Sequence, residues 1–196
     1  MASDVDICNS ALNMIGASNI ISLAEDSRAA RVCNQRFEFV RDAVSRSHPW
    51  NALVRRASVA AETDTPAFEF VYQHALPADP YCLRVIRPQD IDTIYRVEGR
   101  KILSNVTPFN FIYIARVTDP NEYDQLLIES IAARLAADIS YALVNSATLT
   151  ASMFQLYNDK LSEARFVDAT EGTPHNITNQ DRSAFVESDM FISSRF

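Results

Sequence analysis

Glycine is almost missing from this chain. Three occur in 196 residues, Gly16, Gly99 and Gly172, and they stand far apart. A Walker loop or a dinucleotide fingerprint needs clustered glycines so that backbone amides can close on phosphate, and neither can be assembled here. Histidine and cysteine are as scarce: His48, His74 and His175 share no metal-ligand spacing with Cys8, Cys33 and Cys82. Cys8 and Cys33 sit among apolar residues, where a free cysteine behaves as a small buried hydrophobe. An odd, unclustered count points to a reducing compartment. No apolar run approaches the roughly 20 residues that span a bilayer. The opening MASDVDICNS carries Asp4 and Asp6 and no basic stretch, which does not fit a secretory signal. The expectation is a soluble, intracellular chain with no metal, no cofactor and no membrane partner.

Lysine is the next shortage. Lys101 and Lys160 are alone, and the rest of the 18 basic residues are arginine. Genomic base composition produces such a bias, and so does an assembly protein, because arginine is favoured at partly desolvated interfaces where lysine is depleted. Acids outnumber bases 25 to 18, for a formal charge of −7, and the pI is near 4.9. That balance argues against gripping nucleic acid by phosphate neutralisation. Hydrophobic residues make up 47% and charged residues 22%, both ordinary for a globular chain. A chain of this length buries roughly 70% of its unfolded surface, enough for a core without disulfides.

The periodicity predicts α+β architecture. Ser3 with Asp6 has the form of a capping box, followed by Ile7, Cys8, Ala11, Leu12 and Ile15 at helical spacing, with Gly16 as the stop. A second helix starts near Asp26 or Ser27, buries Ala29, Val32, Cys33, Phe37, Val40 and Val44, and ends at His48-Pro49. The stretches 51–60, 68–74, 81–87, 93–98, 101–105 and 109–117 are short runs rich in Val, Ile, Phe and Tyr, separated by proline turns. Glu98-Gly99-Arg100 reads as a hairpin turn, with Gly99 where φ must be positive. Asp119-Pro120-Asn121-Glu122 looks like a helix start for residues 123–145, and a fourth helix covers 148–169. The expectation is a four-helix bundle, with helices in 1–48 and 119–171. One small antiparallel sheet, about 51–117, is inserted between helices 2 and 3, giving a domain over 1–172.

Residues 173–196 form an extended C-terminal arm in this reading. Phe185, Val186, Met190, Phe191, Ile192 and Phe196 are scattered along it without a domain of their own. A solvated tail ordinarily lacks such residues, so they are expected to dock, either on their own domain or on a partner.

The chemistry is sparse. Asp90 with Asp92, and Glu62 with Asp64, are carboxylate pairs near turns, where solvation is the ordinary role and acid–base work the exceptional one. No nucleophile sits in a recognisable elbow. Trp50 is the one tryptophan, expected at the joint between bundle and sheet. Arg28, Arg31, Arg36, Arg41 and Arg46 raise a nucleic-acid helix, but Glu38 and Asp42 interrupt them. A solvated or intersubunit salt-linked face fits better. Asn105-Val106-Thr107 and Asn176-Ile177-Thr178 fit glycosylation sequons that carry no meaning without secretion.

Several segments, in order, resemble the tail tubular protein A family of short-tailed bacteriophages, the head-to-tail adaptors beneath the portal. They are Ile7-Cys8-Asn9-Ser10-Ala11-Leu12 with Ile15-Gly16-Ala17, then Ser22-Leu23 and Glu25-Asp26-Ser27-Arg28-Ala29-Ala30. Cys33, Val40-Arg41-Asp42-Ala43 and His48-Pro49-Trp50-Asn51-Ala52 follow. Further on come Tyr72, Leu76-Pro77-Ala78-Asp79, Val97-Glu98-Gly99-Arg100-Lys101-Ile102-Leu103, Ile114-Ala115-Arg116-Val117 and Ala132-Ala133-Arg134-Leu135-Ala136. The likeness spans about residues 5–170.

That resemblance implies a non-enzymatic virion protein made in the host cytoplasm and placed at the head–tail junction. It implies a ring of twelve subunits between the portal protein and the tail nozzle protein, lining the channel through which DNA leaves. The arm residues are then expected on the portal, and Glu98, Gly99 and Arg100 on the channel or nozzle side. Net acidity fits a channel that must let DNA slide, with only transient contact. The competing readings are a virion-associated peptidoglycan hydrolase using Glu62 or Asp90, and a small cytoplasmic binding module.

Overall fold

The computed structural model describes residues 2–171. Its first helix, α1 (Asp4–Met14), begins as its residues dictate. The Ser3 hydroxyl accepts from the Asp6 amide (3.2 Å) and the Asp6 carboxylate accepts from the Ser3 amide (3.0 Å), a closed capping box. At the other end Gly16 has φ +71. The Ala17 and Gly16 amides donate back to the Leu12 and Asn13 carbonyls, the Schellman closure that a glycine allows. Helix α2 (Arg28–Ser47) is capped by Ser27, and His48 before Pro49 leaves it in extended conformation.

The start of the third helix differs from expectation. Asp119 caps only one 3-10 turn, Pro120–Glu122. Tyr123 then turns extended, because its ring is buried and its hydroxyl donates to the Val117 carbonyl at 2.5 Å. Asp124 is the true cap, accepting from the Leu126 amide (2.8 Å), and α3 runs Gln125–Val144. Asn145, at φ 59, reverses the chain, and Ser146 caps α4 (Ala147–Thr170).

Six strands lie between α2 and α3: β1 (Val54–Val59), β2 (Tyr72–Ala75), β3 (Cys82–Pro88), β4 (Tyr95–Glu98), β5 (Lys101–Ser104) and β6 (Phe109–Ala115). Residues 51–53 form a 3-10 turn instead of strand, and Glu69, at φ 74, keeps 68–71 out of β2.

Two expectations about their arrangement are corrected. The strands do not make one sheet: they make two antiparallel three-stranded sheets, β1-β6-β3 and β2-β5-β4. The reason lies in β6, which is apolar on both faces. Phe109, Phe111, Tyr113 and Ala115 point one way, into a core shared with Ile102 and Leu76 of the second sheet. Ile114 points the other way, into the helical core. A strand with two apolar faces needs a cover on each, and one sheet supplies only one. Nor do the helices pack as the expected four-helix bundle. All of them gather on α3, which packs against α1, α2 and α4. Its Leu127, Ile131, Leu135 and Ile139 stripe and Ala132, Ala133, Ala136 and Ala137 are all buried, so it offers apolar surface on every side.

Trp50 occupies the joint, as its sequence position suggests. It is 1% exposed, its Nε1 donates to the Val44 carbonyl (3.1 Å), and the His48 ring meets it edge-on at 4.8 Å. Trp50→Ala is expected to destabilise the chain by about 3–5 kcal/mol, read as a shift in the urea unfolding midpoint. A variant of unchanged stability contradicts the assignment of Trp50 to the core.

Candidate functional site

The β4–β5 hairpin was singled out by sequence, and its tip is exposed: Glu98, Gly99 and Arg100 all face solvent. The turn exists because Gly99 adopts φ +57, and nothing lies within 4 Å of where a Cβ would stand. The three residues do not act as a set. Arg100 folds back on its own chain, donating to the Cys82 and Pro77 carbonyls (both 2.7 Å), with its guanidinium 3.9 Å over the Tyr81 ring. It clamps the hairpin to the turn before β3. Glu98 stays at the tip, at the 4.0 Å limit from Arg96, which also reaches Glu69 (3.6 Å). The arm residues Phe185, Val186, Met190, Phe191, Ile192 and Phe196, with the Gly172 stop, lie outside the described residues.

The α2 arginines all find partners in the chain itself. Arg28 donates to the Ala142 carbonyl at the end of α3, and Arg36 pairs with Asp138 of α3 at 2.6 Å. Arg31 pairs with Asp26 at 2.7 Å, and Arg46 donates to the Leu83 carbonyl of β3 at 2.6 Å. Arg41 is buried beside Asp42 (3.1 Å), and Asp42 also takes Arg116 at 2.5 Å.

The acidic candidates have local duties. Glu62 pairs with Lys101 at 2.8 Å, and Asp90 accepts from the Asp92 amide and the Thr93 hydroxyl (both 3.2 Å), closing a turn. His48 Nε2 donates to Asp168 Oδ2 (3.1 Å), but both side chains are about nine-tenths buried. All three thiols are free and buried. A hydrogen bond to Cys33 and burial hold the Cys8 thiol protonated well above its ordinary range, and burial does the same at Cys82. Burial likewise pushes the Tyr123 phenol up to about 12. Among the described residues no cluster of His, Cys, Asp and Glu has the makings of a metal site. None of the described helices is long and apolar enough to cross a membrane.

What sequence reading missed is a face of the first sheet. Arg56 of β1 and Arg87 of β3 both pair in register with Ile112 of β6, so they flank it on one face. With Ser58, Gln89 and Asn110 they line a concavity of about 660 Å³. Neither guanidinium has a carboxylate within ion-pair distance among the described residues. The alternation of Arg56 and Ser58 with Ala57 and Val59 was the available signal, but it did not tell which face the helices leave open.

No protein-family model matches the chain, and no curated protein matches it. Arg100 therefore has to be tested on its own chemistry. Arg100→Ala removes two carbonyl partners and is expected to cost about 1–3 kcal/mol, while Glu98→Ala stays within about 0.5. Thermal unfolding of the two variants separates a clamp from a tip; equal effects would refute the distinction.

Proposed function

We propose that this chain is a head-to-tail adaptor of a short-tailed phage, twelve copies of which form a ring between portal and tail nozzle. The observation that carries the reading is the ordered run of segments from Ile7 to Ala136 that resembles the adaptor family. Each is a packing or turn signature, and their shared order is specific where no single one is. In this reading the helices gathered on α3 form the body of the ring subunit, and the β region inserted after α2 projects from it towards the nozzle. Glu98 and Gly99 at the hairpin tip then meet the channel or the next tail component.

The surface of the chain supports an assembly role. Phe39 on α2 is 70% exposed, Phe68 before β2 is 80%, and Phe166 on α4 is 72%. Large aromatics exposed on three separate elements suit a subunit with several neighbours. A cyclic ring needs two different faces per subunit, and this scatter fits that demand better than one recognition patch does.

The portal is the partner assigned to residues 173–196. Fully extended at about 3.3 Å per residue, a segment of that length would span roughly 80 Å. Deleting it is expected to leave the melting temperature of the isolated subunit nearly unchanged and to remove most portal affinity. Electron microscopy of the full chain mixed with its portal reads the ring directly. Normal portal binding by the truncated chain overturns the arm's role, and no binding by the full chain overturns the adaptor reading.

A further inference from the structure

The concavity on the first sheet has an architecture that calls for an anion. Arg56 and Arg87 stand on the two strands beside β6, so their Cα atoms are about 10 Å apart across two strand spacings. Both are exposed, and half-buried Ile112 makes the floor between them. The Ser58 hydroxyl and the Gln89 and Asn110 amides add polar groups to the lining. Several other arginines meet a carboxylate: Arg55 takes Glu122 (2.9 Å), Arg36 takes Asp138, and Arg116 takes Asp42. Among the described residues Arg56 and Arg87 meet neither a carboxylate nor a carbonyl, on a chain with net charge −7.

The complementary feature is on α4. Its outer side carries Asp159 and Glu163, one helical turn apart and both exposed. At i and i+4 their Cα atoms are about 6 Å apart along the axis, facing the same way. Asp159 takes one hydrogen bond, from Gln155 Nε2 (3.0 Å), and no cation of the described chain pairs with either carboxylate. Lys160 between them turns inward to Glu129 (2.6 Å). Phe166, one turn further on, supplies an exposed apolar group.

We propose that the outer face of α4 of one copy of this chain docks on the Arg56–Arg87 face of the next, with Asp159 and Glu163 between the two arginines. A helix laid across the strands over Ile112 brings the two carboxylates within reach of both flexible guanidinium side chains. Charge complementarity favours a second copy over a nucleic acid: the same chain supplies the carboxylates, and a phosphate strand would leave Asp159 and Glu163 unpaired. The contact joins two different faces, so it propagates into a ring or a filament rather than closing as a two-fold dimer. It deepens the adaptor reading by naming the two faces a ring subunit would present.

Sedimentation of the full-length chain alone, without portal, is the test. The wild type is expected to self-associate as concentration rises to about 100 μM, and less so at about 500 mM salt than at about 50 mM. The swaps R56E/R87E and D159R/E163R should each weaken that association at least tenfold, with unchanged melting temperatures. Mixing the two variants should restore it, because each then offers the face the other has lost. The milder R56Q/R87Q should show the same loss at smaller size. A wild type that stays monomeric, swaps without effect, or a mixture that stays dissociated would each overturn the contact. Self-association through other residues sinks this inference and leaves the adaptor reading standing. Portal binding by the full chain decides that reading separately.

Discussion

Asp168 holds the two halves of the molecule in register. It sits in the last turn of α4, about nine-tenths buried, and receives the His48 ring N–H and the Asn51 amide (3.0 Å) on its two carboxylate oxygens. Its own carbonyl accepts from Asn51 Nδ2 (2.7 Å), and three residues earlier Arg165 donates to the Ser47 carbonyl (3.3 Å). A buried carboxylate is costly unless its lone pairs are filled, and these donors fill them from the one segment where α2 gives way to β1. The end of the last helix is thereby fixed to the entry of the first strand. Trp50 packs between those two attachments, so the apolar joint and the polar joint are the same place.

From that joint the fold is organised by β6. Its alternate residues belong to two different cores, so the helical layer and the second sheet are coupled through one strand. A substitution at Ile114 acts on the packing of the helices, and one at Phe111 acts on the packing between sheets. The arginines serve the same coupling at the surface: Arg46 ties α2 to β3, Arg116 ties the end of β6 to α2, and Arg55 ties β1 to the turn before α3. Exposed pairs of this kind contribute little individually. Their distribution across element boundaries makes them a means of fixing orientation more than a source of stability.

Local signals were legible and tertiary ones were not. The Ser3–Asp6 box, the Gly16 stop, the Pro49 break and the Gly99 turn each depend on residues within a few positions, and each stands where the sequence puts it. The start of α3 was misread because two caps compete, Asp119 and Asp124, and a buried tyrosine between them decides the matter. Phe154 stands at helical spacing from Tyr157 and Leu161, which are buried, yet it is 38% exposed beside Arg134, whose guanidinium lies 5.3 Å from its ring. Helical spacing places it one step off the buried stripe, a difference periodicity does not resolve. The pairing of strands into two sheets, and with it the Arg56–Arg87 concavity, depended on contacts between residues distant in sequence, such as Arg56 and Arg87 with Ile112.

The fold, more than the spacing of charges along the chain, decides which arginines meet a carboxylate. The arginines of α2 looked like a surface from sequence, being closely spaced on one helix, but every one is consumed by a carbonyl or carboxylate of the chain. Density of charge along a helix was therefore a poor guide to availability. Availability depends on what the fold brings opposite, and β1 and β3 are brought opposite only Ile112 and solvent at Arg56 and Arg87. A guanidinium left without a carboxylate keeps its full field at the surface, and that field acts on neighbours over about a Debye length, roughly 8–10 Å. In an otherwise acidic molecule the face that carries Arg56 and Arg87 is a surface on which a second acidic copy, as proposed, would be attracted instead of repelled.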